Sequence, residues 1–156
     1  MDRIEALIRK EGRDILGSAH HKGTRKDIQH GNMSVRQHTI NVARYSVLFS
    51  EKLKISCDRR ALIRGALLHD FFLYDWHDKE HINIFKLHGI YHPGIALKNA
   101  EKEFQLSPIE RDVIKKHMWP LTLVPPSCRE AWIVTMADKY CSLMETMWLH
   151  RKRGSK

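Results

Sequence analysis

Six side chains of the kinds that commonly bind transition metals are spread along this sequence. Two of them, His69 and Asp70, are adjacent and follow an apolar stretch. The other four are separated along the chain, at His38, His92, His117 and Asp138. Imidazole nitrogens and carboxylate oxygens suit Mn, Fe, Co, Ni or Zn, whereas softer metals favour thiolates. If the fold gathers these residues, the sequence predicts a centre for one or two divalent ions.

Six ligands are enough for two metal ions that share one carboxylate. Such ions lie about 3.5–4 Å apart, activate water and clamp the oxygens of a phosphoryl group. Asp70 is the predicted bridging ligand, and Asp70 and His69 are the predicted catalytic residues. The spacing alone gives this prediction modest specificity, because the chain contains 11 histidines.

Helical periodicity places the first ligands. Between positions 35 and 53, apolar residues recur at steps of three and four, and His38 lies on their stripe. A histidine on an apolar face can also be an ordinary core residue, so its role depends on the other ligands. The next predicted helix ends at His69 and carries Gly65 and Ala66 on the same face. These small side chains predict the close approach of a neighbouring helix.

Helix-start signals place the remaining ligands. The predicted N-caps are Ser34, Asp58, Ser107 and Ser127. Glu110 lies three residues after Ser107, and Glu130 lies three residues after Ser127, so each pair is predicted to form a capping box. Pro93 predicts a helix start with His92 at its beginning. His117 is expected in the last turn of the helix that follows Ser107.

Asp138 is expected in the middle of a long last helix. It lies near one stripe with Val134, Cys141 and Glu145. A carboxylate among apolar residues is costly to bury unpaired. Metal binding accounts for this position, and an ion pair with a buried arginine is the alternative.

The whole pattern predicts an all-α fold. A first helix is predicted from Ile4 to Ile15, ending before Gly17, and residues 20–32 read as a basic loop. No strand alternation or hairpin signal is found. We therefore predict a single compact bundle of six or seven helices. Its expected divisions are an N-terminal helix and loop packed on the core (1–28), the metal-binding domain (29–150) and a basic tail (151–156).

The composition is that of a folded, basic protein. With 156 residues, the chain is long enough for one domain. Its net charge of +9 predicts an anionic partner. Three widely spaced cysteines form no CxxC pair and are expected to be reduced. No leader or spanning segment is predicted, so the expected location is the cytoplasm, without a membrane partner. The oligomeric state stays open.

Five cations are predicted to contact a phosphorylated substrate. They are Lys22, Arg25, Lys26, Arg36 and Lys139. The first four precede or adjoin the first ligand helix, and the last follows a predicted ligand. A solvated surface cation is the alternative role for each of them.

The succession of His38, the His69-Asp70 pair and Asp138 on helices resembles the HD-domain superfamily of metal-dependent phosphohydrolases, over roughly residues 29–145. His92 and His117 look like the further histidines of members that bind two metals. The resemblance implies a first ion held by His38, His69, Asp70 and Asp138. It implies a second ion held by Asp70, His92 and His117.

Departures from known patterns narrow the choice of subfamily. The Gly-Tyr-Pro segment of the HD-GYP phosphodiesterases is absent, because His117 is followed by Met-Trp-Pro-Leu. Guanosine tetraphosphate hydrolases have a Glu-Asp pair where this chain has Leu73-Tyr74. The common Gly-Lys after the dyad is replaced by Phe72-Leu73. The chain therefore resembles an HDIG-like member outside the HD-GYP group.

The resemblance implies hydrolysis of a phosphate ester by metal-activated water. The expected substrate is a nucleotide or another small phosphorylated metabolite. One alternative is an HD-type di-iron oxygenase, which uses a similar ligand set. Another is a regulatory or nucleic-acid-binding protein with a structural metal, although a structural site usually closes with about four ligands. Nucleic acid is not the favoured partner, because no aromatic residues interleave with the basic tail.

Overall fold

The computed structural model describes residues 2–24, 28–30, 33–71 and 88–153, without the side chains of 28–30, 88–91 and 148–153. This part of the chain contains eight helices and one small sheet. In chain order they are α1 (Arg3–Glu11), α2 (Arg13–Gly17), α3 (Ala19–Gly23), β1 (Ile28–His30), β2 (Met33–Ser34), α4 (Val35–Lys52), α5 (Arg59–Leu68), α6 (His88–Glu103), α7 (Pro108–Lys116) and α8 (Arg129–Arg153). The all-α prediction is confirmed.

The N-terminal region is divided more finely than predicted. Instead of one helix, α1 and α2 are separated at Gly12, which caps α1. A Cβ atom at Gly12 would collide with the side chain of Leu67 on α5, so the break lies where this side chain packs against the Gly12 backbone. The predicted basic loop, residues 20–32, contains most of α3 and all of β1, which pairs antiparallel with β2 immediately beyond the loop. These strands have three and two residues, too few to show a sequence alternation.

Three of the four predicted N-caps are confirmed. The side chains of Ser34, Asp58 and Ser107 accept hydrogen bonds from backbone N–H groups at the starts of α4, α5 and α7. Glu110 completes the capping box of α7, since its Oε2 accepts from the N–H of Ser107 at 2.6 Å. These caps fix where three of the ligand-bearing helices begin.

The predicted capping box at Ser127 and Glu130 is wrong. The helix begins at Arg129, one residue later than predicted, and the Ser127 hydroxyl accepts a hydrogen bond from the Lys116 ammonium. Glu130 instead accepts from the backbone N–H of Asp58, at 2.7 Å. Both side chains thus bond to other elements, which outweighs the local capping preference.

Helix α5 is central to the bundle. It packs against α4, α7 and α8, and every residue from Ala61 to Leu68 is buried. The predicted close approach occurs at Gly65, where an added Cβ would lie 2.8 Å from Cγ1 of Val113 on α7. The C-terminal end of α5, which carries the ligand pair, is therefore held on several sides.

A buried arginine ties three elements together near this helix. Arg64 is 3% exposed, and its Nε donates to Glu110 Oε1 of α7 at 2.5 Å. Its Nη1 donates to both carboxylate oxygens of Asp14 on α2, at 2.6 and 2.7 Å. The cost of removing the guanidinium from water is offset by paired, hydrogen-bonded carboxylates.

The segment that follows Asp70 in the sequence is rich in aromatic and acidic residues. Phe71 is buried and makes an edge-to-face contact with Phe104, with ring centroids 5.6 Å apart. The rest of that segment, residues 72–78, lies outside the described residues.

Candidate metal centre

The six predicted ligands converge from five helices and their ends. His38 lies within α4, His69 and Asp70 follow α5, His92 lies within α6, His117 caps α7, and Asp138 lies within α8. None of the six is more than 8% exposed. Four imidazoles and two carboxylates therefore lie together in the interior of the bundle.

One prediction about these positions is wrong. His92 does not start a helix, because α6 begins at His88 and continues through Pro93. Proline is preferred at helix starts, but within a helix it removes one hydrogen bond, and tertiary packing can outweigh that loss. As a result His92 is held by helix on both sides.

The donor atoms form two clusters. One contains His38, His69 and Asp138, and the other contains Asp70, His92 and His117. Within each cluster the donor atoms all lie within 4.8 Å of one another. Each cluster can offer three ligands to an ion.

The Asp70 carboxylate lies between the two clusters. Its Oδ2 is 3.3 Å from Nε2 of His69 and 4.0 Å from Nε2 of His38. Its Oδ1 is 3.6 Å from Nε2 of His92 and 3.5 Å from Nε2 of His117. Each oxygen thus faces a different cluster, which is the arrangement that a bridging carboxylate requires.

Backbone carbonyls fix the orientation of two imidazoles. Nδ1 of His69 lies 2.7 Å from the carbonyl oxygen of Ala66, and Nδ1 of His117 lies 2.8 Å from that of Ile114. Because a carbonyl can only accept, each Nδ1 donates, and each Nε2 is left to bind through its lone pair. Hydrogen bonds of this kind commonly orient histidines that ligate metals.

Glu145 is a functional candidate that the sequence reasoning did not assign. Its Oε2 lies 3.0 Å from Nδ1 of His38, while Nε2 of the same ring lies 3.1 Å from Oδ1 of Asp138. Asn41 donates to Oε1 of Glu145 at 3.3 Å. The signal was present, because Glu145 lies two turns after Asp138 on the same stripe of α8.

The alternative partner for Asp138 was a buried arginine. In the described part of the chain no arginine contacts this carboxylate. Its neighbours are His38, His69 at 3.7 Å and the Ser142 hydroxyl at 3.4 Å. The buried Arg64 pairs with Glu110 and Asp14 instead, so the arginine alternative finds no support among the described residues.

The charges of the centre are strongly coupled. Burial opposes protonation of His38, but Asp138 and Glu145 outweigh it and raise the pKa of His38 to about 9. Burial likewise opposes protonation of His69, but Asp70 and Asp138 raise its pKa well above the usual value. The imidazoles lower the pKa values of Asp70 and Asp138, despite burial. Clustered carboxylates of this kind favour a positive charge, which a proton or a metal ion can provide.

Two observations fit a divalent ion. Nε2 of His69 is buried and makes no hydrogen bond with the described residues, although carboxylates are near. Nε2 of His92 and Nε2 of His117 lie 2.9 Å apart. Two nitrogens bound about 2.1 Å from one ion at about a right angle are about 3.0 Å apart. The residues present therefore fit divalent ions with nitrogen and oxygen ligands.

The predicted substrate cations have different surroundings. Lys139 lies beside the centre, where its Nζ donates to the carbonyl oxygen of His117 at 3.4 Å. Arg36 instead binds His21, with its Nη1 3.3 Å from Nδ1 of that ring. Lys22 is exposed on α3. Arg25 and Lys26 lie outside the described residues.

Comparison with known proteins identifies the family. A family model described as HD domain matches residues 35–143, and the chain belongs to this family. No curated protein and no solved structure matched the chain. The matched range contains all six candidate ligands and runs from the start of α4 into α8. Membership of this family implies that the chain binds a divalent metal. Most members of the family are metal-dependent hydrolases.

None of the described helices combines the length and the apolar composition needed to cross a bilayer.

Proposed function

We propose that this protein is a metal-dependent phosphohydrolase that cleaves a phosphate ester of a nucleotide or another small phosphorylated metabolite. The observation that carries the proposal is the position of Asp70. Its two oxygens face separate three-residue clusters, as expected for a carboxylate shared by two ions. A site built for a single structural ion has no need of this arrangement.

The residues divide naturally between the two ions. His38, His69 and Asp138 with Oδ2 of Asp70 would hold the first ion, and His92 and His117 with Oδ1 of Asp70 the second. Ions held in this way lower the pKa of a coordinated water and polarise the oxygens of a phosphoryl group. Glu145 keeps the proton of His38 on Nδ1, so that Nε2 is presented to the first ion.

The protein also contributes a basic group at the edge of the centre. Lys139 follows Asp138 and is held by the carbonyl of His117. Burial lowers its pKa, while Asp138 opposes the change. Its ammonium is the predicted substrate cation best placed to contact a phosphate group.

The test is turnover of a panel of phosphate esters by the full chain after metal removal and reconstitution with Mn or Co. The expected result is release of inorganic phosphate or a nucleoside monophosphate, reduced at least 100-fold by His92→Gln. His20→Gln is the matched control, because this half-exposed imidazole pairs with Glu103 and belongs to neither cluster.

Two outcomes would contradict the proposal. One is the absence of turnover with every reconstituting metal and ester class. The other is co-purified iron with substrate-dependent oxygen uptake, which would assign the centre to the oxygenase alternative.

A further inference from the structure

A second candidate binding site lies on the other side of the first ligand helix. Helices α1, α2 and α4 enclose a groove of about 710 Å³. It is lined by none of the six candidate metal ligands. A ligand in this groove is therefore distinct from a substrate at the metal centre.

The groove is strongly basic. Four arginines line it, Arg9, Arg13, Arg36 and Arg44, against a single acidic residue, Glu5. Arg9 pairs with Glu5, and Arg44 pairs with Asp2 at its end of the groove. Arg13 contacts no carboxylate in the described part of the chain. A concave surface with this excess of guanidinium groups favours phosphate, which arginine can bind through two parallel hydrogen bonds.

One of these arginines is positioned by an uncharged partner. Nη1 of Arg36 lies 3.3 Å from Nδ1 of His21, whose Nε2 lies 3.3 Å from the Thr39 hydroxyl. That hydroxyl donates to the carbonyl oxygen of Arg36, so it accepts from His21. The imidazole therefore accepts from Arg36 as a neutral ring and leaves the positive charge of Arg36 available to a ligand.

The groove also has an apolar part. Ile8, Leu16 and Ile40 lie among the arginines. A volume of several hundred Å³ is typical of sites for small organic ligands. We propose that this groove binds an organic phosphate, with the phosphates on the arginines and the organic group against the apolar residues.

The groove is connected to the metal centre by hydrogen bonds. Asn41 lines the groove and donates to Glu145, which in turn accepts from Nδ1 of His38. Two hydrogen bonds thus join a groove residue to a candidate metal ligand. Occupancy of the groove is therefore expected to change the environment of the His38 ring.

The probe is ATP, titrated calorimetrically into the full chain after metal removal. Arg13→Glu is the test variant, because this exposed side chain makes no ion pair among the described residues and its loss should leave folding intact. The expected result is at least tenfold weaker binding. Inorganic tripolyphosphate should bind more weakly than ATP, because it lacks a group for the apolar residues.

Two charge-matched variants serve as controls. Lys98→Glu changes the charge on α6, away from the groove, and Lys139→Glu changes it beside the metal centre. Lys98→Glu should weaken ATP binding less than threefold, and Lys139→Glu should weaken it less than Arg13→Glu does. Equal losses in all three variants would overturn the proposal in favour of diffuse attraction, and a loss confined to Lys139→Glu would locate ATP at the metal centre. Tripolyphosphate binding as tight as ATP would also contradict it.

The connection has its own readout. In nitrogen-15 spectra of metal-free protein, ATP should shift the ring signals of His38, and Arg13→Glu should raise the ATP concentration needed for that shift at least tenfold. Unchanged His38 signals at saturating ATP would show that the two sites are independent.

Discussion

At the scale of single residues, the centre depends on which nitrogen of each ring faces inward. Carbonyl oxygens bind Nδ1 of His69 and His117, and Glu145 binds Nδ1 of His38. An imidazole that donates to a carboxylate is more basic, and therefore a better metal ligand, than an imidazole that donates to a carbonyl oxygen. Glu145 therefore acts as a positioning residue for the first proposed ion.

Removing this carboxylate should weaken metal binding. We expect Glu145→Ala to reduce Mn affinity about 10–100-fold, the usual range for the loss of such a partner. Glu145→Gln should lose less, since its amide oxygen can still accept from Nδ1. The measurement is competitive Mn titration, with the exposed Glu101→Gln as control. Wild-type affinity in Glu145→Ala would contradict the assigned role.

The sequence predicted the ligands better than the residues that support them. Helical periodicity found His38 because ligand and apolar neighbours share one stripe, and capping signals found the helices that carry His69 and His117. The supporting residues depend on partners far away in the sequence. Arg64 pairs with Glu110, 46 positions away, and Glu145 pairs with His38, 107 positions away. No local pattern encodes such pairings. The start of α6 was missed because packing outweighed the preference of Pro93.

At the scale of helices, Arg64 holds α2 and α7 against α5. Removing one partner from a buried ion pair leaves unpaired charge and typically costs about 3–5 kcal/mol. We expect Arg64→Ala to lower the free energy of unfolding by about this amount in urea denaturation. Arg60→Ala, on an exposed side chain of the same helix, should change it by less than about 1 kcal/mol. Equal effects of the two substitutions would contradict this account.

The packing of α3 on α4 predicts a dependence of stability on pH. Burial, with a smaller effect of Arg36, lowers the pKa of His21 to about 4 from its usual 6.5. The folded chain therefore keeps His21 neutral at pH values where the unfolded chain protonates it. The resulting stability is fully present above pH 6.5 and is lost as the pH falls towards 4.

The size of this effect can be measured by comparison with His21→Gln. Between pH 7 and pH 5, the free energy of unfolding of the wild type should fall by roughly 2 kcal/mol more than that of the variant. This value follows because each unit of pKa shift corresponds to about 1.4 kcal/mol. Chemical denaturation at several pH values measures both. Parallel pH curves for the two proteins would show that His21 is protonated equally in the folded and unfolded states.

At the scale of the whole molecule, the HD domain supplies the candidate metal ligands, whereas the N-terminal helices supply part of the basic groove. The matched range of residues 35–143 contains every candidate ligand. Helices α1 and α2 lie before it and form one wall of the basic groove with α4. The net charge of +9 thus includes a local concentration of arginine in the groove, which sequence counting alone could not locate.

The proposed two-ion centre is joined by Asp70, and the metal content of anaerobically purified protein tests it most directly. Elemental analysis should find two transition-metal ions per chain in the wild type and at most one in Asp70→Ala, with circular dichroism confirming that the variant is folded. One ion in both proteins, or two ions retained by a folded Asp70→Ala variant, would contradict the bridging role of Asp70.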